Sequence, residues 1–234
     1  MTTASAALTI NRTPSKHALQ ILITERILHM IKNIVFDIGK VLVRFDWEDY
    51  LASFGFPKKE YQTIADVMFL SSNWALVDEG RLSYQEIEAI FLSSAPEYAK
   101  DIKRVFASFG DCISQFPYAK SWIRKLKKEG LSLYYLSNYG DFTREYTKAE
   151  LDFCELMDGG LMSCQVQLLK PNPAFYKCLF QKYNLKPEEC IFIDDNTDNI
   201  RTAESLGMHT ILFHDQESAV RELARIRCQE ASVH

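Results

Sequence analysis

The chain of 234 residues contains no apolar run of membrane-spanning length, because charged or polar residues interrupt every candidate. It also lacks an excess of basic residues. With 27 Lys and Arg against 31 Asp and Glu, the formal net charge is -4, so no overall positive field draws in nucleic acid or an anionic bilayer. An anionic ligand would need a local site. No pair among Cys112, Cys154, Cys164, Cys178, Cys190 and Cys228 has zinc-ligand spacing, and several lie inside apolar segments. They read as reduced and mostly buried, which fits a cytoplasmic protein. There is no internal repeat and no low-complexity linker. The first thirty residues have no acidic side chain before Glu25 and no uninterrupted apolar core of a secretory signal. Residues 1–30 therefore read as an extension, disordered or a misassigned start with Met30 immediately before the first strand, rather than as the targeting peptide their composition also allows. A helix is expected over 18–31, and the Asn11-Arg12-Thr13 sequon is without consequence in the cytoplasm.

What is present is ordinary globular material, 47% hydrophobic and 25% charged, enough for one large domain or one domain with an insertion. The stretch NIVFDIGKVLVRFD at 33–46 organises it. Ile34, Val35 and Phe36 form a short apolar strand that stops on the carboxylate of Asp37, with Gly39 soon after to let the backbone turn. Such an acid is either a turn-forming cap or a group placed for chemistry at the carboxyl end of a buried strand. VLVRF at 41–45 reads as a short hairpin or flap, with Leu42 and Arg44 pointing outward.

From 47 to 111 the apolar residues recur at helical spacing with no strand between them. Pro57, Glu79-Gly80 and Pro96 punctuate the block, and Ser83 with Glu86 has the spacing of a capping box. Beyond Pro117 strand and helix alternate. An amphipathic helix over 118–129 stops at Gly130, and strands follow at 131–136, 190–193 and 210–213. A helix is expected over 142–151, a short strand over 161–166, and a helix opening on Pro173. This alternation predicts a parallel sheet with helices on both faces.

Asp37, Ser137-Asn138, Lys170 and Asp194-Asp195 all fall at or just beyond strand carboxyl ends, which share one edge in a parallel sheet. Taken singly, Lys170 could be a solvated loop lysine and Asp194-Asp195 a helix N-cap. Taken together, three carboxylates repel unless a cation lies among them, and oxygen-only ligation suits a hard ion such as Mg²⁺. Lysine and serine supply the point charge and rotatable donor that an anionic oxygen cluster requires.

FDIGKVL at 36–42, YYLSN at 134–138, LLKPNP at 168–173 and IFIDDNTDNIRTAESLG at 191–207 resemble, in order and spacing, the motifs of the haloacid dehalogenase superfamily. The match runs over about 31–215. The first and fourth motifs are most similar to those of the bacterial α-glucose-1-phosphate phosphatase branch. The resemblance implies an α/β fold with a Rossmann-like doubly wound parallel sheet, built from 31–46 and 112–234, and a helical cap inserted over 47–111. It implies a small phosphorylated metabolite as partner, neither nucleic acid nor membrane, and leaves the oligomeric state unknown, monomer or dimer. In that family's scheme Asp37 is the nucleophile that forms an aspartyl-phosphate. Asp37, the Gly39 carbonyl, Asp194 and Asp195 hold Mg²⁺, while Ser137, Asn138 and Lys170 bind the phosphoryl group and Lys170 also neutralises the nucleophile.

One position departs from the superfamily pattern. Most of its phosphatases carry a second Asp two residues after the nucleophile as general acid and base, and here that place is Gly39. Such an acid is worth ~10²–10⁴ in rate, so the gap suits a good leaving group such as the acetal oxygen of a sugar 1-phosphate, or requires a substitute from Lys40, Arg44 or the cap. Two rivals fit the same residues. A 2-haloacid dehalogenase also lacks the second Asp but has no use for an acidic pair, and a non-catalytic relative would bind a phosphorylated ligand or a protein. Trp47, Trp74, Glu79 and Arg81 are further pocket candidates that could equally pack or cap.

Overall fold

The computed structural model describes residues 31–232. The sequon at Asn11 and, apart from Ile31, the helix expected over 18–31 lie outside them. A five-stranded parallel sheet carries the chain. Its strands are β1 (Asn33–Phe36), β4 (Ser132–Ser137), β5 (Gly159–Met162), β6 (Cys190–Asp194) and β7 (His209–Leu212), in the order β5-β4-β1-β6-β7. The remaining strands, β2 (Val43–Phe45) and β3 (Ile113–Gln115), form a separate antiparallel ribbon, with Phe45 opposite Ile113.

Period-two alternation sorts the sheet's side chains onto two buried faces. Ile34, Phe36, Ile191 and Ile193 pack with Trp122, Ile123 and Leu126 of α6 (Ala119–Lys128) and with Ala219 and Leu223 of α10 (Gln216–Ser232). Val35, Leu136 and Phe192 pack on the opposite face with Phe175, Tyr176 and Leu179 of α8 (Pro173–Tyr183) and with Ile200 and Ala203 of α9 (Thr197–Ser205). The sheet is thus wound on both sides. The expected starts hold well: Pro173 occupies the first turn of α8 behind an Asn172 cap, and Gly130 takes φ 84 beyond the end of α6.

Between the two ribbon strands lie α1 (Trp47–Ala52), α2 (Lys58–Met68), α3 (Asn73–Glu79), α4 (Tyr84–Ser94) and α5 (Ala99–Ala107). They enclose their own apolar cluster, including Ile64, Met68, Phe91, Phe106 and Phe109. Ser83 caps α4 through the reciprocal pair with Glu86.

Three expectations need correction. Leu42 does not face outward but is fully buried, because the N–H groups of Val41, Leu42 and Val43 all turn back onto the Ile38 carbonyl and strand alternation begins only at Val43. The strand expected over 161–166 is Gly159–Met162, two glycines having disguised its start. The helix expected over 142–151 is the shorter α7 (Asp141–Tyr146); Thr147 Oγ1 donates to the Thr143 carbonyl, satisfying backbone where the helix stops.

Edge strand β5 is finished by aromatic side chains. The ring of Tyr135 on β4 covers Gly160, leaving no room for a Cβ, while the Tyr183 hydroxyl accepts from Gly160 N–H at 2.9 Å and donates to its carbonyl at 3.1 Å. Tyr183→Phe leaves that N–H without this partner, so a loss of about 1–3 kcal/mol is expected in urea denaturation. Unchanged stability would remove this hydroxyl from the account of the edge.

Candidate active site

Strand register sets the site. Phe36 pairs with Ile193, and the Asp37 N–H donates to the Ile193 carbonyl at 2.8 Å, so Asp37 just past β1 adjoins Asp194 at the tip of β6. Ser137 ends β4 on the other side of β1, since Phe36 also pairs with Tyr135. The chain reverses its direction of travel across the sheet around β1, where an open parallel sheet leaves a crevice for ligands.

Lys170 reaches this edge from the loop before α8. Its Nζ lies 2.8 Å from Asp37 Oδ1 and 2.7 Å from Asp194 Oδ2, with the side chain 1% exposed. A solvated loop lysine is thereby excluded. Asn138 holds the Lys170 backbone at both ends: its Oδ1 accepts from Lys170 N–H at 2.7 Å and its Nδ2 donates to the Lys170 carbonyl at 3.1 Å. Asp194 is fixed further by Asn196 N–H at 2.8 Å and by the Asn199 amide, 3.0 Å from both carboxylate oxygens. Asp37 Oδ1 also accepts from the Ile38 N–H at 2.7 Å, which sets the rotation of the carboxylate.

Asp37, Asp194 and Asp195 each offer an oxygen within 4.8 Å of the others, an all-oxygen donor set that suits a hard divalent cation. The electrostatics agree with that fit. Burial raises the Asp37 carboxyl to about 6; Lys170 pulls it back and Asp194 pushes it further. Burial, then the Asp194 charge, also raises Asp195. Lys170 itself is raised, because its two carboxylate partners outweigh its desolvation. A single ammonium among three clustered carboxylates leaves negative charge for a cation to neutralise.

These residues border a cavity of about 370 Å³ that Gly39, Ser137, Asn138 and Lys170 line from the sheet side. Of the residues that the sequence singled out for the site, Asp37, Gly39, Ser137, Asn138, Lys170 and Asp195 line this hollow, whereas Asp194 is fully buried behind Lys170 and does not line it. The profile of the haloacid dehalogenase-like hydrolase family matches residues 31–207. The chain belongs to that family.

Among relatives of this haloacid dehalogenase-like hydrolase, drimenol cyclase of Aspergillus calidoustus is 28% identical over 84% of the chain. The chain spans only 37% of that protein's length. The D-ribitol-5-phosphate phosphatase of Bacteroides thetaiotaomicron is 25% identical, over 77% of the chain and 91% of the relative. A crystal structure of a family enzyme from Bacteroides thetaiotaomicron, in complex with magnesium and inorganic phosphate, superposes with a TM-score of 0.65. It is 22% identical and covers 81% of this chain and 98% of that one, and what it shows for this chain is the fold.

Of the four further pocket candidates, only Trp74 lines the cavity. Trp47 stacks on Phe69 at 5.0 Å, while Arg81 pairs with Glu79 at 3.0 Å. Lys40 lines the hollow, but Arg44 lies over the Phe116 ring at 4.9 Å. Sequence reasoning missed Asp78, Tyr139, Thr143 and Asn199. A signal for Asp78 existed: it and Glu79 stand in the last turn of α3, which holds no basic residue, where the helix dipole disfavours anions.

Because burial holds the Asp37 carboxyl at about 6 in the folded protein, above the ordinary aspartate value of 3.8, the native protein binds the extra proton between about pH 4 and 6. The metal-free protein should therefore lose stability as pH rises through that window, on the order of 3 kcal/mol from this group, with no further loss from it above. Urea denaturation in chelator should show this fall in the wild type and its absence in Asp37→Asn. Parallel curves for the two would contradict the buried-carboxylate picture.

Proposed function

We propose that the protein is a Mg²⁺-dependent phosphatase that hydrolyses small phosphate monoesters through an aspartyl-phosphate. Sugar phosphates, a hexose 1-phosphate among them, are the substrate class. The clustering of Asp37, Asp194 and Asp195 about the buried Lys170, at the edge of one hollow, carries this reading. The family match and a relative named as a sugar-alcohol phosphate phosphatase support it. Free cysteines fit a reducing compartment, and we assign the enzyme to the cytoplasm. Among the described residues no helix is long and apolar enough to cross a membrane.

Asp37, Asp194 and Asp195, with the Gly39 carbonyl, would hold Mg²⁺. The ion supplies neutralisation of the carboxylates and of phosphoryl oxygens, which lowers the repulsion between an anionic nucleophile and an anionic substrate. The chain's own groups do the rest. Asp37, its carboxylate held by Lys170 and the Ile38 N–H, attacks phosphorus in line as the ester P–O bond breaks and the alcohol oxygen leaves on the opposite side, taking up a proton. Lys170 faces the same phosphoryl group with a charge whose position Asn138 sets. The Ser137 hydroxyl and the Asn138 backbone amide supply donors to the remaining oxygens. Water then cleaves the Asp37–phosphoryl bond and regenerates the carboxylate.

Asp37→Asn should abolish Mg²⁺-dependent hydrolysis of p-nitrophenyl phosphate, and chelation of the wild type should do the same. Retention of more than a few per cent in the variant would overturn the nucleophile. Chloride release from 2-chloropropionate without phosphatase activity would instead establish the dehalogenase.

A further inference from the structure

The acid missing at position 39 has a counterpart on the other side of the hollow. Asp78, in the last turn of α3, lines the same cavity as Asp37, Ser137 and Lys170. Its place there is fixed by the backbone. A Cβ at Gly140 would overlap the Val77 carbonyl oxygen, so the insertion meets the loop after β4 at van der Waals closeness. Two residues on, Gly80 takes φ 70, and a Cβ there would lie 2.8 Å from Cys164 Cα. Between these contacts the Ser163 hydroxyl donates to the Asp78 carbonyl oxygen while accepting from the Tyr139 N–H at 2.8 Å. Three contacts within four residues hold Asp78 against the sheet edge.

The other titratable groups facing the cavity are engaged. Asp37 and Lys170 are paired with each other, and Asp195 belongs to the acidic cluster. The Tyr139 hydroxyl is bonded to Thr147 Oγ1 at 2.7 Å, and Lys40 faces Asp195. The Asp78 carboxyl makes no hydrogen bond or ion pair with another described residue. Burial, and then the Asp37 charge, hold it well above the carboxylate range against the opposing pull of Lys170. Protonated, it is an oxygen acid with a proton to give.

We propose that Asp78 is the general acid and base of this enzyme, replacing from the helical insertion the residue absent at Gly39. The inference rests on the phosphatase reading above. In the first half-reaction the Asp37 carboxylate forms a bond to phosphorus as the bond to the leaving oxygen breaks, and the Asp78 proton passes to that oxygen. The products are an alcohol, the aspartyl-phosphate and an Asp78 carboxylate. In the second, water attacks phosphorus and gives a proton to Asp78 as the bond to Asp37 breaks, which yields phosphate and restores both side chains.

The experiment is kcat/KM for a series of phosphate monoesters of falling leaving-group acidity, from 4-nitrophenyl through phenyl to alkyl, in the wild type and in Asp78→Asn, which is isosteric with the protonated acid. Because kcat/KM reports phosphoryl transfer to Asp37, loss of the acid should cost about 10²–10³-fold on alkyl esters and little on 4-nitrophenyl phosphate. The position at Gly39 is open, with nothing within 4 Å of a Cβ, so Gly39→Asp in the Asp78→Asn background should recover tenfold or more on the poor leaving groups. An equal loss across the series, no loss, or absence of rescue would overturn the role of Asp78 while leaving an active phosphatase. A wild type inactive on every ester with Mg²⁺ would overturn the functional reading and this inference with it. Should Asp78→Asn fail to fold, Asp78→Glu against Asp78→Gln gives the same comparison.

Discussion

The ammonium of Lys170, sealed between Asp37 and Asp194, is the interaction on which the remainder of the site depends. Removing three ionised groups from water costs several kcal/mol for each, and the attraction among them offsets that only where geometry and additional donors are good. The fold supplies both. Adjacent parallel strands bring the two acids side by side without any loop having to find its way, Asn138 fixes the backbone of Lys170, and Asn199 satisfies Asp194. The arrangement is nevertheless unbalanced toward negative charge, and in the proposed function that imbalance would hold a cation and leave one carboxylate as the nucleophile.

The helical insertion gains its significance from how it is fastened. Its own aromatic cluster gives it internal cohesion, while the contacts of Val77, Asp78 and Gly80 with Gly140, Ser163 and Cys164 tie one of its helix ends to the sheet edge. Two layers of different construction thus face each other across the hollow. The sheet edge carries charge and metal-type ligands. The insertion contributes Trp74 and Asp78, an apolar wall and a single carboxyl group.

The sheet-borne half of the site was legible because strand ends are punctuated locally: apolar runs stop on Asp37, Ser137 and Asp194, and parallel topology then forces those ends together. The same logic found the helix starts at Ser83 and Pro173, where capping chemistry is written within a few residues. It failed at β5, whose Gly159 and Gly160 owe their strand conformation to tyrosines far away in sequence, and at Leu42, whose burial follows from a turn onto Ile38. It also passed over α10, whose buried Ala219, Leu223 and Ile226 recur at helical spacing among charges. Asp78 was hidden for a different reason. Two acids in the last turn of a helix were a local sign that something was unusual there, but the place of Asp78 at the hollow comes from docking contacts between segments some sixty to eighty-five residues apart, which no local pattern encodes.

Transfer of the phosphoryl group onto Asp37 is the step from which the rest of the proposed function follows. It is tested most directly by rapid acid quenching of the enzyme during turnover of a phosphate ester with Mg²⁺, followed by mass spectrometry of the peptide that contains Asp37. A phosphoryl group on the Asp37 carboxylate, appearing and decaying with turnover, is the predicted result. Turnover with that carboxylate never modified would contradict the account.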